Sequence, residues 1–423
     1  MRYTFDVESI RNHFPALKRQ MNGKTCIYLD GPGGSQVPQQ VVDSIADYMF
    51  NHNANAHGAY ITSQESDQLL ENGRKTMAAF LGCDADEIAF GESSSGNMFK
   101  LATALCRDIV PGDEIIISDI DHESNRSPWR LLEEYGAVIR RVRVNPETRT
   151  LDFEDFCAKL NDKTILVALN WASNATGTVT DVRPYIERAH EVGALTVIDA
   201  VHYAAHKPID VRALGADFLV CSAYKFFGPH LGVMYMKREA IKRLRTLRVL
   251  VDSTEEAPLC IETGTSNFEN ICGAAAAVRF IASIGERYQS YYEHDLQGLT
   301  GLRRHIVAGM LAFEEYEETL VNVLVHGLRE IPGCTLYLSP PGCARTSTVS
   351  FTLDGKHSSE VGAALGHEGI FCMTGHFHAL VLVCEILGLE NKGGLVRFGL
   401  EPYSTLDEVE RTIAAVRAIA AES

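Results

Sequence analysis

The chain has 423 residues, 46% of them apolar, and a formal net charge of −16. That length is too great for one small core and suits two domains, or a large α/β domain with an appendage. The acidic balance argues against a nucleic-acid groove or an anionic membrane surface as partner, so any anion the protein binds must be held by local groups.

In chain order, residues 6–14 predict a short helix, and 26–29 a strand that ends at Asp30-Gly31-Pro32-Gly33-Gly34. This turn lacks both the G-K-[ST] ending and the G-x-G-x-x-G spacing of phosphate loops, so it reads as a tight turn whose backbone can line a site. Residues 41–50 and 66–80 predict helices, with an irregular loop over 51–62. From residue 88 the pattern becomes regular. Short apolar strands at 88–90, 114–118, 138–144, 164–170, 195–199, 218–222 and 232–236 are interspersed with helices at 98–109, 129–135, 182–191 and 211–214. Such alternation implies βαβ units and a mainly parallel seven-stranded sheet.

After residue 272 the texture changes to a long helical region, 274–328 with interruptions, then strands at 335–338 and 348–352 and helices at 360–368 and 406–421. A smaller α+β C-terminal domain is expected, with the N-terminal segment packed on it. The expected division gives 30–285 to the large domain and 1–29 with 286–423 to the small one.

Eleven cysteines without C-x-x-C pairs suit reduced thiols and a cytoplasmic location, and no zinc pattern is present, so no metal is expected. The N-terminus has no apolar core after a basic start, and no uninterrupted apolar run approaches the ~18 residues of a membrane span.

In a doubly wound sheet the loops past the strand ends meet along one edge, and chemistry is sought there. Lys225 follows the buried strand 218–222 and is closed off by Gly228-Pro229. A lysine in such a crevice either snorkels to water or is used, for instance to condense with an aldehyde cofactor whose phosphate the Ser222 hydroxyl would suit. Ser222-Ala223-Tyr224-Lys225 also fits the S-x-x-K of serine acyl-enzymes, but the S-D-N and K-T-G elements of that class are missing. Glu92-Ser93-Ser94-Ser95-Gly96 opens a helix and could cradle a phosphate or simply cap it. Asp199, at the tip of a strand, is either a turn cap or the partner of a protonated pyridine nitrogen. His122 and Asn174 lie in two further loops of the same edge. A phosphate cradle, an imidazole, an acid and a lysine in this order match what pyridoxal 5'-phosphate requires.

Several stretches together resemble the class V aminotransferase superfamily, and within it the cysteine desulfurase-like branch. They are YLDGPGGSQVP at 28–38, the His122 loop, Ser173-Asn174, Val197-Ile198-Asp199 through His202, residues 222–229, Glu262-Thr263-Gly264-Thr265 and Val396-Arg397-Phe398-Gly399-Leu400. The resemblance implies a pyridoxal-phosphate enzyme of fold type I, a transferase or lyase acting on a small amino acid as a homodimer with active sites at the subunit interface. It makes Lys225 the lysine that holds the cofactor, Asp199 the partner of the ring nitrogen and His122 the residue stacked on the ring. His202 falls where the family donates to the cofactor's phenolic oxygen, with Asn174 beside it. Ser94, Ser95 and Ser222 match phosphate-binding positions, as Thr265 matches a cofactor-binding one. Tyr224 stands where desulfurases often carry a phosphate-binding histidine, and Arg397 matches the arginine that grips the substrate carboxylate.

One departure is chemical. Desulfurases of this kind carry R-x-G-x-x-C in a loop whose cysteine takes the sulfur, whereas Met373-Thr374-Gly375-His376-Phe377-His378 stands here. Cys372 ends an apolar run and reads as a core thiol, and His376 and His378 are expected to line the substrate pocket. Carbon–sulfur cleavage remains the reaction implied by the resemblance. Transamination, epimerisation and decarboxylative carbon–carbon bond formation are the alternatives.

Overall fold

A computed structural model describes residues 3–245, 247 and 257–422. The expected domain ranges also include residues 1–2, 246, 248–256 and 423, which lie outside the described residues. The main sheet contains β1 (Ile88–Gly91), β2 (Glu114–Ser118), β3 (Val138–Val142), β4 (Thr164–Asn170), β5 (Leu195–Asp199), β6 (Phe218–Ser222) and β7 (Gly232–Met236). Their spatial order is β1-β7-β6-β5-β4-β2-β3, parallel except for β7, which runs antiparallel to both neighbours.

The central strands are apolar along their whole length because both faces are covered. Val197, Phe218 and Val220 enter one core, while Ile198, Leu219 and Cys221 enter the other. This alternation fixes register, since a slip of one residue would exchange the two faces. The register sets Asn170 beside Asp199 and Ser222 beside Gly232. Gly232 is required by close approach: a Cβ there would lie 2.4 Å from the Ser93 carbonyl carbon.

A second, antiparallel sheet is built from β8 (Cys334–Leu336), β9 (Thr348–Leu353), β10 (Met373–Gly375) and β11 (Leu395–Gly399), in the order β8-β9-β11-β10. Residues Ile27–Tyr28 pair in parallel with Ile370–Phe371, and Asp30 bridges to Gly399. The N-terminal segment therefore lies against the C-terminal one, and Arg11 adds an ion pair to Glu408 at 2.9 Å.

Several boundaries differ from expectation. The helix after β1 starts at Ser94, inside the serine run, so the serines form its first turn. Helix Ile61–Leu81 begins five residues earlier than expected and shortens the 51–62 loop, because its first turn is polar and carries no apolar period. Phe153–Lys159 is an additional helix, capped by Asp152. Helix Phe268–Tyr291 is long and apolar enough to cross a membrane, but 72% of its most apolar window is buried within the protein. Arg279 interrupts that run in the sequence and conceals its length.

Candidate active site

Past the ends of β4, β5 and β6 the loops enclose a cavity of about 530 Å³. Its wall unites Ser94, Ser95, His122, Asn174, Asp199 and His202 with Ser222, Tyr224, Lys225, His376, His378 and Arg397. Ser93 caps the helix Ser94–Leu105 by accepting from the Gly96 N–H at 3.0 Å. Capping is thus met one residue earlier. Ser94 and Ser95 occupy the first two helical positions, whose N–H groups have no intrahelical acceptor, and present a small anion site at the positive end of the helix dipole.

Lys225 is 5% exposed. Burial, reinforced by the nearby Arg397, lowers its pKa to about 7, with Asp30, Asp199 and Glu401 opposing. Burial raises Asp199 to about 6, against the Val201 N–H that donates to it at 2.9 Å and the charge of Lys225. His122 is driven down to about 3 by burial and by His378, Lys225 and Arg397, so its ring is neutral near pH 7. The Ser124 N–H donates to its Nδ1 at 3.0 Å, which puts the ring proton on Nε2.

His202 Nε2 lies 3.0 Å and 2.9 Å from the Thr346 and Thr348 hydroxyls, while its Nδ1 is buried without a protein partner. Arg397 donates to the Asn174 carbonyl and to Asp30 Oδ1, both at 3.0 Å, and its guanidinium lies 4.1 Å above the Phe377 ring. Its Nε is left unpartnered.

The loop after β10 is held in a costly shape: Phe377 and His378 both have left-handed backbone angles, φ 53° and 57°. Two contacts pin it, from Asn174 Nδ2 to the Phe377 carbonyl at 2.9 Å and from the Glu123 N–H to the His378 carbonyl at 2.8 Å. His378 consequently sits 5.1 Å from His122, ring centre to ring centre. Cys372 is absent from the cavity wall and is half-buried against the core rather than within it; desolvation raises its thiol to about 12.

Thr265 lies apart from this cavity within the chain. It lines a separate cleft of about 440 Å³ with Asn55, His57 and Arg74. Arg74 anchors its loop by a two-pronged bond to Glu262 at 2.7 and 2.8 Å, and the Phe90 N–H donates to the same carboxylate. A larger cavity of about 700 Å³, bordered by the stacked rings of Trp171 and Tyr203, has no lysine or histidine among its described lining residues.

Residues 27–303 and 301–412 match the aminotransferase class V family. The chain belongs to that family.

Among relatives of this class V enzyme, a probable cysteine desulfurase 2 of Mycobacterium leprae is 31% identical over 431 residues, covering 97% of this chain and 96% of that protein. An aminotransferase-like protein of Gibberella zeae is 32% identical over 435 residues, covering 98% and 99%. The apo structure of a cysteine desulfurase from Thermococcus onnurineus NA1 superposes with a TM-score of 0.85 at 27% identity, covering 99% of this chain and 98% of that one. The class V enzyme therefore has fold type I and is a pyridoxal-phosphate-dependent, cysteine desulfurase-like enzyme.

The cavity fits that cofactor. Three buried polar atoms of its wall, His202 Nδ1, Asn170 Oδ1 and Arg397 Nε, have no protein partner, which is costly unless a polar occupant meets them. A serine-lined helix start suits a phosphate, and a buried carboxylate suits a cationic ring nitrogen. Sequence reasoning missed Asn170, Thr346, Thr348 and the Asp30–Arg397 pair. Asn170 had a signal, since it ends its strand as Asp199 does. The threonines come into play only through space.

Proposed function

We propose that the cavity binds a small L-amino acid and breaks the bond to its β-substituent, with a carbon–sulfur bond as first candidate, without handing sulfur to a loop cysteine. The observation that carries this reading is the convergence of Lys225, Asp199, His122 and Arg397 on one cavity whose described wall contains histidines and no thiol. When bound, pyridoxal phosphate supplies an aldehyde for the substrate amine and a sink for the electrons freed at the α-carbon.

The chain's own groups would do the rest. The helix start at Ser94 and Ser95, with Ser222, would hold the phosphate; Asp199 would pair with the ring nitrogen, His122 would stack on the ring, and His202 Nδ1 with Asn174 would meet the phenolic oxygen. Tyr224 closes the phosphate side. Arg397, already oriented by Asp30 and Asn174, fixes the substrate carboxylate through its remaining N–H groups. Lys225, poised near neutrality, takes the α-proton. His378, backed by His376, whose Nδ1 accepts from the His378 N–H at 3.1 Å, gives a proton to the departing group. The main sheet and its cofactor loops would form the large unit of residues 30–285, and residues 1–29 with 286–423 the small one.

A homodimer accounts for Thr265, which would reach the phosphate of a second copy. Phe50, Tyr60 and Ile61 are 85%, 55% and 67% exposed on the neighbouring segment, an apolar patch that a second copy would cover. Light scattering giving the mass of a single chain would contradict this. All eleven cysteines are unpaired, which supports a reducing, cytoplasmic setting.

The reading is tested by mixing holoenzyme with each amino acid in turn, following the cofactor's visible band and assaying sulfide, alanine, pyruvate and carbon dioxide. Release of the β-substituent is expected, at an unchanged rate in Cys372→Ser. Amino-group transfer, racemised substrate or carbon dioxide as the main outcome would replace this reading. A Cys372→Ser variant that loses sulfide release would restore a persulfide on that thiol.

A further inference from the structure

Behind the cavity lies a row of buried titratable groups that none of the steps above employs. Glu401, just past β11, is 0% exposed, and neither carboxyl oxygen has a protein partner. It packs under the turn Gly31–Gly33, where a Cβ on Gly31 would sit 2.1 Å from Glu401 Oε1. Pro32 and Gly33 of that turn line the cavity. His206 is 1% exposed, with Nδ1 2.8 Å from Glu317 Oε2 and Nε2 unpartnered. Its ring centre is 5.0 Å from that of His202 in the cavity wall. Glu317, on helix Gly301–Arg329, is 2% exposed and has one unpartnered oxygen.

On their far side, His206 and Glu317 line a second cavity of about 560 Å³, bounded by that helix and residues 338–347. The partition between the two cavities therefore includes buried acids and imidazoles, with the Thr346 and Ser347 hydroxyls against His202 and His206, where an apolar plug would be cheaper. Four atoms of this cluster lack protein partners, and buried groups of that kind are completed by ordered water.

We propose that Glu401, His206 and Glu317 form a proton path, completed by ordered water, between Lys225 and the second cavity. The proposal rests on the reading of Lys225 as the group that moves the α-proton. Lys225 lies within electrostatic reach of both Glu401 and His206. Burial raises the two carboxyls well above the usual carboxylate range and lowers His206 to about 4, which favours the neutral form of each. Lys207 and Glu314, paired with each other, act on both His206 and Glu317, and Glu318, Arg329 and Arg345 also line the second cavity.

Each neutral group can gain one proton and lose another in the same event. Through bridging water, the Lys225 ammonium gives a proton to a Glu401 oxygen while the Glu401 O–H, through a second water, gives its own to His206 Nε2. His206 Nδ1–H passes to Glu317 Oε2, and the Glu317 O–H releases to water in the second cavity. One proton crosses, no charge stays behind, and the return uses the same atoms. The path lets Lys225 exchange with solvent while a substrate fills the front of the site.

The test uses holoenzyme and L-alanine as probe, following exchange of its α-hydrogen in deuterated water by NMR. Glu317→Gln and Glu401→Gln are expected to keep the cofactor band and the L-alanine affinity read from it, but to slow exchange by about tenfold. His206→Gly is expected to slow it likewise and to recover with added imidazole, which a purely structural role would not produce. Wild-type exchange in either glutamine variant overturns the path, as does failure of both to fold, which would make the cluster a stability element. A wild type that takes up no cofactor overturns the reading of Lys225 itself.

Discussion

Lys225→Ala is expected to lower turnover by about a thousandfold or more and to remove the visible band of the lysine-bound cofactor. The argument begins with burial. An ammonium at 5% exposure beside Arg397 is disfavoured, so its pKa falls to about 7, and much of the lysine is a free amine at neutral pH. A free amine is what both condensation with an aldehyde and removal of an α-proton require. The sign follows: for apo-protein, the rate of cofactor uptake should rise with pH through about 7 and then level, whereas an ordinary lysine would keep it rising towards ~10.4. An alanine variant that turns over at the wild-type rate, or an uptake rate that climbs only where exposed lysines titrate, contradicts this assignment.

Asp199→Asn is expected to reduce kcat by about a hundredfold or more while leaving KM within a few-fold. Burial raises the carboxyl to about 6 even against the Val201 N–H and the charge of Lys225; a protonated ring nitrogen placed against it would stabilise the carboxylate further and lower that value. The amide keeps shape and volume and cannot supply the charge. For apo-protein, thermal stability should hold or rise, because a buried carboxylate is replaced by a neutral group. Steady-state kinetics and a melting curve check both parts, and full kcat in the asparagine variant would contradict the pairing.

The strands were legible because their apolar runs stop at residues with turn or polar chemistry. Leu195–Asp199 and Phe218–Ser222 end as expected, at the acid and the serine that face the cavity. Order along the chain was enough to bring Lys225, Asp199 and His122 together, since parallel strands deliver their following loops to one edge, whereas Arg397, on the antiparallel strand Leu395–Gly399, was placed by the family resemblance alone. Helix starts were harder to read: Ser94 and Ile61 both begin helices in stretches without apolar period, where capping and tertiary contacts decide. Thr265 shows the limit of carrying a role along one chain, because the motif that matched it lines a separate cleft here. The His202–Thr346 contact joins residues 144 apart in sequence, and Glu401 acts through space under a turn near the other end of the chain. Neither leaves a local pattern.

The central claim is that this cavity holds pyridoxal phosphate on Lys225. Reducing the holoenzyme with borohydride, digesting it and mapping the pyridoxyl mass by tandem mass spectrometry tests it most directly. The account predicts the added mass on the peptide containing Ser222-Ala223-Tyr224-Lys225, at Lys225. The added mass on another lysine, or on none in a protein that retains the cofactor, would contradict it.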